Sequence, residues 1–181
     1  MQTQTNRASD RQALQYARFY NERAMTRCRT LALLGVGLAM ASPARADVTV
    51  FLGANTTPAS RLVRGGALGA GLLVVGLELE YAATQEDPTT AAPSLKTGMG
   101  NVLVQAPFQN FQPYLTTGVG IFNETLGARS ETNFGLNSGG GLKMRLSGPL
   151  RLRVDYRVFK LGSGALNSPA HRIYAGLNLK F

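Results

Sequence analysis

The sequence predicts an all-β fold: an eight-stranded antiparallel up-and-down transmembrane β-barrel, preceded by a cleavable signal peptide. Three observations predict it. From Asp47 onward the dominant hydrophobic period is two, which is the pattern of strands rather than helices. Turn signals divide residues 47–181 into eight such segments, joined alternately by short turns and longer polar loops. Ahead of them, an apolar run of eleven at residues 31–41 follows Arg27 and Arg29 and ends at Ser42-Pro43 and Ala44-Arg45-Ala46. A positive start, a short apolar core and a small-x-small end are the parts of an export signal.

Composition narrows the alternatives. The chain has 181 residues, 44% hydrophobic and 16% charged, with 21 Gly, no Trp and one Cys. It is too apolar and too weakly charged for disorder. A single Cys excludes a disulfide framework or a multi-cysteine zinc site. Cys28 precedes the apolar run, so it is not placed as a lipid-bearing cysteine, and cleavage after Ala46 would remove it. No apolar run reaches the roughly 18 residues of a membrane-spanning helix.

The expected leader occupies residues 25–46, with cleavage marked by Ala44 and Ala46. Residues 1–24 are polar and carry four Arg, and read as an extension produced by an upstream start codon, with Met25 as the first natural residue. Residues 1–46 hold seven Arg against Asp10 and Glu22. The remaining 135 residues hold 12 Lys and Arg against 8 Asp and Glu, so much of the +9 charge belongs to the leader. A nucleic-acid interface needs a concentrated basic patch, and none is expected here.

The barrel domain is assigned to residues 47–181, with strands over 47–55, 63–72, 75–83, 94–106, 112–123, 132–146, 149–160 and 170–181. The seventh is the clearest. Leu150, Leu152, Val154, Tyr156 and Val158 share one face, and Arg151, Arg153, Asp155 and Arg157 the other. A strand separates these sets, where a helix would scatter them. In the last segment Ile173, Ala175, Leu177, Leu179 and Phe181 alternate with Arg172, Tyr174, Gly176, Asn178 and Lys180. Leu77, Leu79 and Tyr81 oppose Glu78 and Glu80, and Phe134, Leu136, Leu142, Met144 and Leu146 oppose Asn133, Asn137, Lys143 and Arg145. Residues 63–75 are apolar on both faces without a clear turn, and a phase change near Asn101 suggests a bulge. Long polar connections are expected at 56–62, 84–93, 124–131 and 161–169.

A closed barrel pairs every backbone donor and acceptor between strands and needs no water along its wall. Each crossing takes about 9–11 residues, so eight fit within the 135 available. A soluble barrel would reverse the faces. Glycine argues against that reversal: Gly118, Gly120, Gly135, Gly139, Gly141 and Gly176 lie on the charged side, where they leave room for long side chains in a narrow lumen. An Arg or Lys facing lipid at mid-bilayer would cost about 2–4 kcal/mol.

Four stretches carry a resemblance: Pro113-Tyr-Leu-Thr-Thr-Gly-Val-Gly120, Gly139-Gly-Gly-Leu-Lys143, Leu152-Arg-Val-Asp-Tyr-Arg157 and Tyr174-Ala-Gly-Leu-Asn-Leu-Lys-Phe181. Through them residues 47–181 resemble the small eight-stranded outer-membrane barrels of Gram-negative bacteria, OmpA and OmpX among them. The resemblance implies a bacterial outer-membrane location, contact with outer-membrane lipids and lipopolysaccharide, and biogenesis through periplasmic chaperones and the barrel-assembly machinery. It implies that Tyr174, Leu177, Leu179 and Phe181 belong to the C-terminal assembly signal. The family usually places Trp in its interfacial girdles. Here Phe51, Tyr81, Phe111, Phe134 and Phe181 would have to form them.

Chain direction places Glu78 and Glu80 in the lumen opposite Arg153, Asp155 and Arg157, with Lys143 and Arg145 near the periplasmic end. A paired, hydrogen-bonded plug is expected, since either sign alone would be costly to bury. The reading is therefore a monomeric scaffold presenting surface loops around a plugged lumen. A narrow ion or solute channel is the alternative, and a wide porin is excluded by length. A lipid-modifying enzyme would need an activated nucleophile, for which the lone His171 with Ser168 is the available pair. Asn55-Thr-Thr57 and Asn123-Glu-Thr125 match sequons without meaning in a bacterial context. The glycines at 139–141 do not open a phosphate loop, and Glu86-Asp87 reads as a solvated pair. No metal or cofactor is expected.

Overall fold

In the computed structural model, residues 45–108 and 110–181 are described. The expected extension, residues 1–24, and the leader through Ala44 lie outside the described residues, whereas Ala46 falls within the first strand. The strands are β1 (Arg45–Asn55), β2 (Arg61–Gly71), β3 (Val75–Thr84), β4 (Ser94–Gln105), β5 (Phe111–Leu126), β6 (Arg129–Ser147), β7 (Leu150–Leu161) and β8 (Ala170–Lys180). Each pairs antiparallel with its sequence neighbours and β1 closes on β8. Four loops, L1 (56–60), L2 (85–93), L3 (127–128) and L4 (162–169), lie at one end, and the turns after β2, β4 and β6 lie at the other.

The ladder defines the stagger. Arg64 leads through Ala83, Lys96 and Asn123 to Thr132 of β6. In the other direction it leads through Leu52, Ala175 and Val154 to Leu142, ten residues along the same strand. A stagger of ten over eight strands corresponds to a strand tilt of roughly 40°. Each residue then climbs the barrel axis by about 2.5 Å. Phe111 and Ile121, both exposed on the outer wall of β5, bracket an apolar band roughly 25 Å tall, the height of a bilayer's hydrocarbon.

Several expectations need correction. No bulge occurs at Asn101, because β4 pairs continuously with both neighbours. The apparent phase change arises because Leu95, Met99 and Leu103 are apolar yet point inward and are buried. The irregularity lies between Arg145 and Ser147 instead. The expected long connection at 124–131 is mostly strand, closed by Gly127 and Ala128, with Gly127 at φ 58°. A two-residue hairpin demands that positive φ at its first position. Phe51 does not join an outer girdle: it is 4% exposed and stacks on Tyr174 inside, with ring centroids 4.0 Å apart. It shares the parity of buried Thr49 and Asn55. Tyr81, Phe111, Phe134 and Phe181 are exposed on the outer wall.

Candidate functional site

The lumen is layered. At mid-height, three guanidinium groups meet three carboxylates. Strand alternation turns Arg153, Asp155 and Arg157 of β7 inward, and Glu78 and Glu80 of β3 face them from the opposite wall. Arg153 pairs with Glu78, and its Nη2 lies 2.8 Å from Asp155 Oδ2. Arg157 reaches Glu78 at 2.8 Å, Glu80 at 3.0 Å and Asp155 at 3.0 Å. All three arginines of the layer, Arg153, Arg157 and Arg172, are 0% exposed. Buried charges of one sign could not persist there, and only matched, hydrogen-bonded sets can.

Polar neighbours complete the layer. The Tyr114 hydroxyl donates to Asp155 and accepts from Arg153 Nε at 2.7 Å. Tyr174 Oη sits 3.0 Å from Glu80 and 2.9 Å from Asp155. Asn137 donates to Asn101 at 2.7 Å, and Asn101 donates in turn to Glu78. Among the described residues no cluster of three or more His, Cys, Asp or Glu is placed to hold a metal ion.

Sequence reasoning left Arg172 out of this network. Its Nη1 lies 3.3 Å from Glu80, its Nε donates to Asn55 at 3.0 Å, and its guanidinium stacks over Phe159 at 4.3 Å. The signal was present, because Arg172 alternates inward with Tyr174 on β8. Lys143 lies nearer the turn end, where it pairs with Asp47 at 2.9 Å and sets its ammonium 5.8 Å from the Tyr114 ring centroid. Arg145, opposite Arg151 at the turn end of β6, is exposed and joins no ion pair among the described residues.

Above the ions sits an apolar layer. Phe159 follows Arg157 by two residues toward the loop end, and Ala170 precedes Arg172 likewise. With Leu95, Met99, Phe122 and Leu161 they form one buried cluster. The loops are tied over this layer. Arg61 bonds the carbonyls of Thr57, Gln85 and Pro93, joining L1 to L2. Glu86 accepts from the Gly127 amide at 2.9 Å, and Glu124 from the Leu166 amide at 2.7 Å. Glu86 is thus engaged with L3, while the Asp87 carboxylate caps the short turn Pro88–Thr90.

His171 and Ser168 do not form a pair. Ser168 Oγ exchanges bonds with the Leu161 backbone, and His171 Nδ1 lies 2.8 Å from the Tyr156 hydroxyl. Among the predicted assembly-signal residues, Leu177, Leu179 and Phe181 face outward, whereas Tyr174 points into the lumen.

The family model for the outer membrane protein beta-barrel domain matches residues 30–181. No curated relative matches the chain. Among solved structures, the N-terminal β-barrel domain of Pseudomonas aeruginosa OprF is 16% identical with a TM-score of 0.57, the match covering 76% of this chain and 97% of that one. Neisserial surface protein A is 18% identical with a TM-score of 0.51, covering 76% and 96%. The outer membrane enzyme PagL is 16% identical with a TM-score of 0.47, covering 75% and 98%. At these identities the likeness concerns the fold alone.

Proposed function

Since the chain belongs to the outer membrane protein beta-barrel domain family, we propose that it serves the bacterial outer membrane as a sealed, monomeric scaffold rather than as a conduit. The observation that carries this reading is the double closure of the lumen. An ion crossing the barrel would have to break the charge-balanced layer of Arg153, Arg157, Arg172, Glu78, Glu80 and Asp155 and then enter the buried apolar cluster around Phe122 and Phe159. Long loops face the exterior in such barrels, so the surface offered to partners is the bonded collar of L1 to L4.

Its immediate surroundings are outer-membrane lipids and lipopolysaccharide. The outward row Leu177, Leu179 and Phe181 supports recognition by the barrel-assembly machinery after chaperone transit. Against the lipid-modifying alternative, His171 engages Tyr156 and Ser168 bonds the Leu161 backbone, so the two do not act as a pair.

Planar-bilayer recording of the folded protein tests the proposal. Conductance should not rise above that of the bare membrane. Stable, reproducible steps would sink the sealed reading in favour of a channel. Lipid A from cells producing the protein should match that from cells producing His171→Ala, and a difference would establish the enzyme reading.

A further inference from the structure

The outer wall carries a charge asymmetry that the lumen does not explain. Every Asp or Glu within a strand has inward parity, including Asp47, Glu78, Glu80, Glu124, Glu131 and Asp155. On the outward parity the strands bear Arg64, Lys96, Lys160 and His171. All four lie near the extracellular end of their strands, and Arg64, Lys96 and Lys160 are exposed. Arg64 and Lys96 occupy one ladder row, separated only by Ala83 of β3. Among the described residues, Arg64 has no carboxylate within salt-bridge reach.

Below Arg64 the wall is concave. Leu152, Leu177, Val50, Leu52 and Ala175 line an apolar groove of about 540 Å³ with Arg64 at its upper rim. The cause is local. Ala175 is paired between Leu52 and Val154, so a methyl group stands in a row of longer side chains. The groove descends from the charged rim toward mid-bilayer, and its volume falls in the range of sites that hold small ligands.

We infer that this groove seats one acyl chain of a phosphorylated glycolipid of the outer leaflet, with Arg64 and Lys96 holding its phosphate. An acyl chain fits the apolar floor, and an anionic headgroup fits a rim whose ionisable groups are basic. The membrane makes that geometry specific: a cation at the leaflet boundary keeps its charge among headgroups while its aliphatic stem lies on apolar wall. The inference rests on the outer-membrane part of the proposed function, in that the outer wall rather than the lumen meets the ligand.

The test uses the folded protein in nanodiscs of neutral phosphatidylcholine, titrated with diphosphorylated lipid A and followed by native mass spectrometry. One lipid should be retained with its mass unchanged. Affinity should fall about fivefold for each charge removed in Arg64→Gln and Lys96→Gln, and should fall again when Ala175→Leu fills the groove. Each variant is first checked for folding by its gel shift on boiling. Dephosphorylated lipid A, tested on the unaltered protein, should bind more weakly by a similar factor. Equal binding of the two lipids, or unchanged affinity in the charge variants, overturns the inference. Tighter retention of phosphatidylglycerol than of lipid A overturns it in favour of a phospholipid. Failure here leaves the conductance result untouched, and conducting steps with lipid still retained would defeat only the sealed reading.

Discussion

Arg157 Nη2 lies 2.8 Å from Glu78 Oε1, although β7 and β3 stand on opposite walls of the barrel. The contact spans the lumen, and Arg153, four residues earlier on β7, converges on the same carboxylate. A tie between walls does what neighbouring-strand pairing cannot: it fixes the cross-section as well as the ladder.

Glu78→Gln should therefore destabilise the barrel severely. It leaves two fully buried guanidinium groups short of a partner, and removing one member of a buried ion pair costs about 3–5 kcal/mol. The gel shift of the folded form should disappear at lower urea than for the unaltered protein. Replacing Glu131, which is partly exposed and 3.7 Å from Arg129, should shift the midpoint by less than about 1 kcal/mol.

The two walls can be told apart by depth. Leu79 is exposed near the middle of the apolar band, and Leu62 near its extracellular edge. Leu79→Arg should cost about 2–4 kcal/mol and Leu62→Arg about 0–1 kcal/mol, measured as urea midpoints in lipid. Equal costs would mean that the face is not lipid-facing or that the depth is misassigned.

These residues also explain what was legible beforehand. On β7 and β8 lipid outside and ions inside impose opposite chemistry on alternate positions, so the pattern of Leu152, Arg153, Val154, Asp155 announces strand and face together. On β4 both environments accept apolar groups. Leu95 and Met99 belong to the buried outer layer while Val102 and Val104 face lipid, and the alternation disappears although the strand is regular. Phe51 was misplaced for the same reason, an aromatic ring being at home on either wall. Its inward position is accommodated by Gly65, where a Cβ would collide with the ring, and by Gly176, where one would collide with the Val50 carbonyl and the Phe51 Cβ. The groove below Arg64 had no local signal, because its walls come from β1, β2, β7 and β8.

Loop L2 carries a pH dependence of definite sign. The Thr89 and Thr90 hydroxyls donate to the Asp87 carboxylate and hold its pKa below the ordinary 3.8. A depressed folded value means that the bonds favour the charged form. Their contribution is thus complete above the unfolded pKa and is lost as the pH falls through the folded one. Carboxyl NMR of Asp87 should titrate below 3.8, and Thr89→Ala should move the midpoint upward. A midpoint at or above the ordinary value would show that the cap does not form.

Gly141 tests how tightly the ionic layer is packed. It faces the lumen on β6 beside Tyr114, whose hydroxyl links Asp155 to Arg153. A Cβ at this position would overlap both the Tyr114 phenol and the Val154 carbonyl of β7. The phenol can swing away only by leaving Asp155, whereas the carbonyl is held in the β6–β7 ladder. Overpacking of a filled interior costs about 1–3 kcal/mol, so Gly141→Ala should lower the urea midpoint measurably. The chain has no Trp, and tyrosine emission can follow the transition directly. Combining Gly141→Ala with Tyr114→Phe separates the two collisions. Because the phenol oxygen is already absent in the Phe background, the added methyl should cost less there, giving a coupling of roughly 0.5–3 kcal/mol. A residual penalty should remain from Val154. Strict additivity would mean that Gly141 serves the backbone approach alone and leaves the Tyr114 bridge untouched.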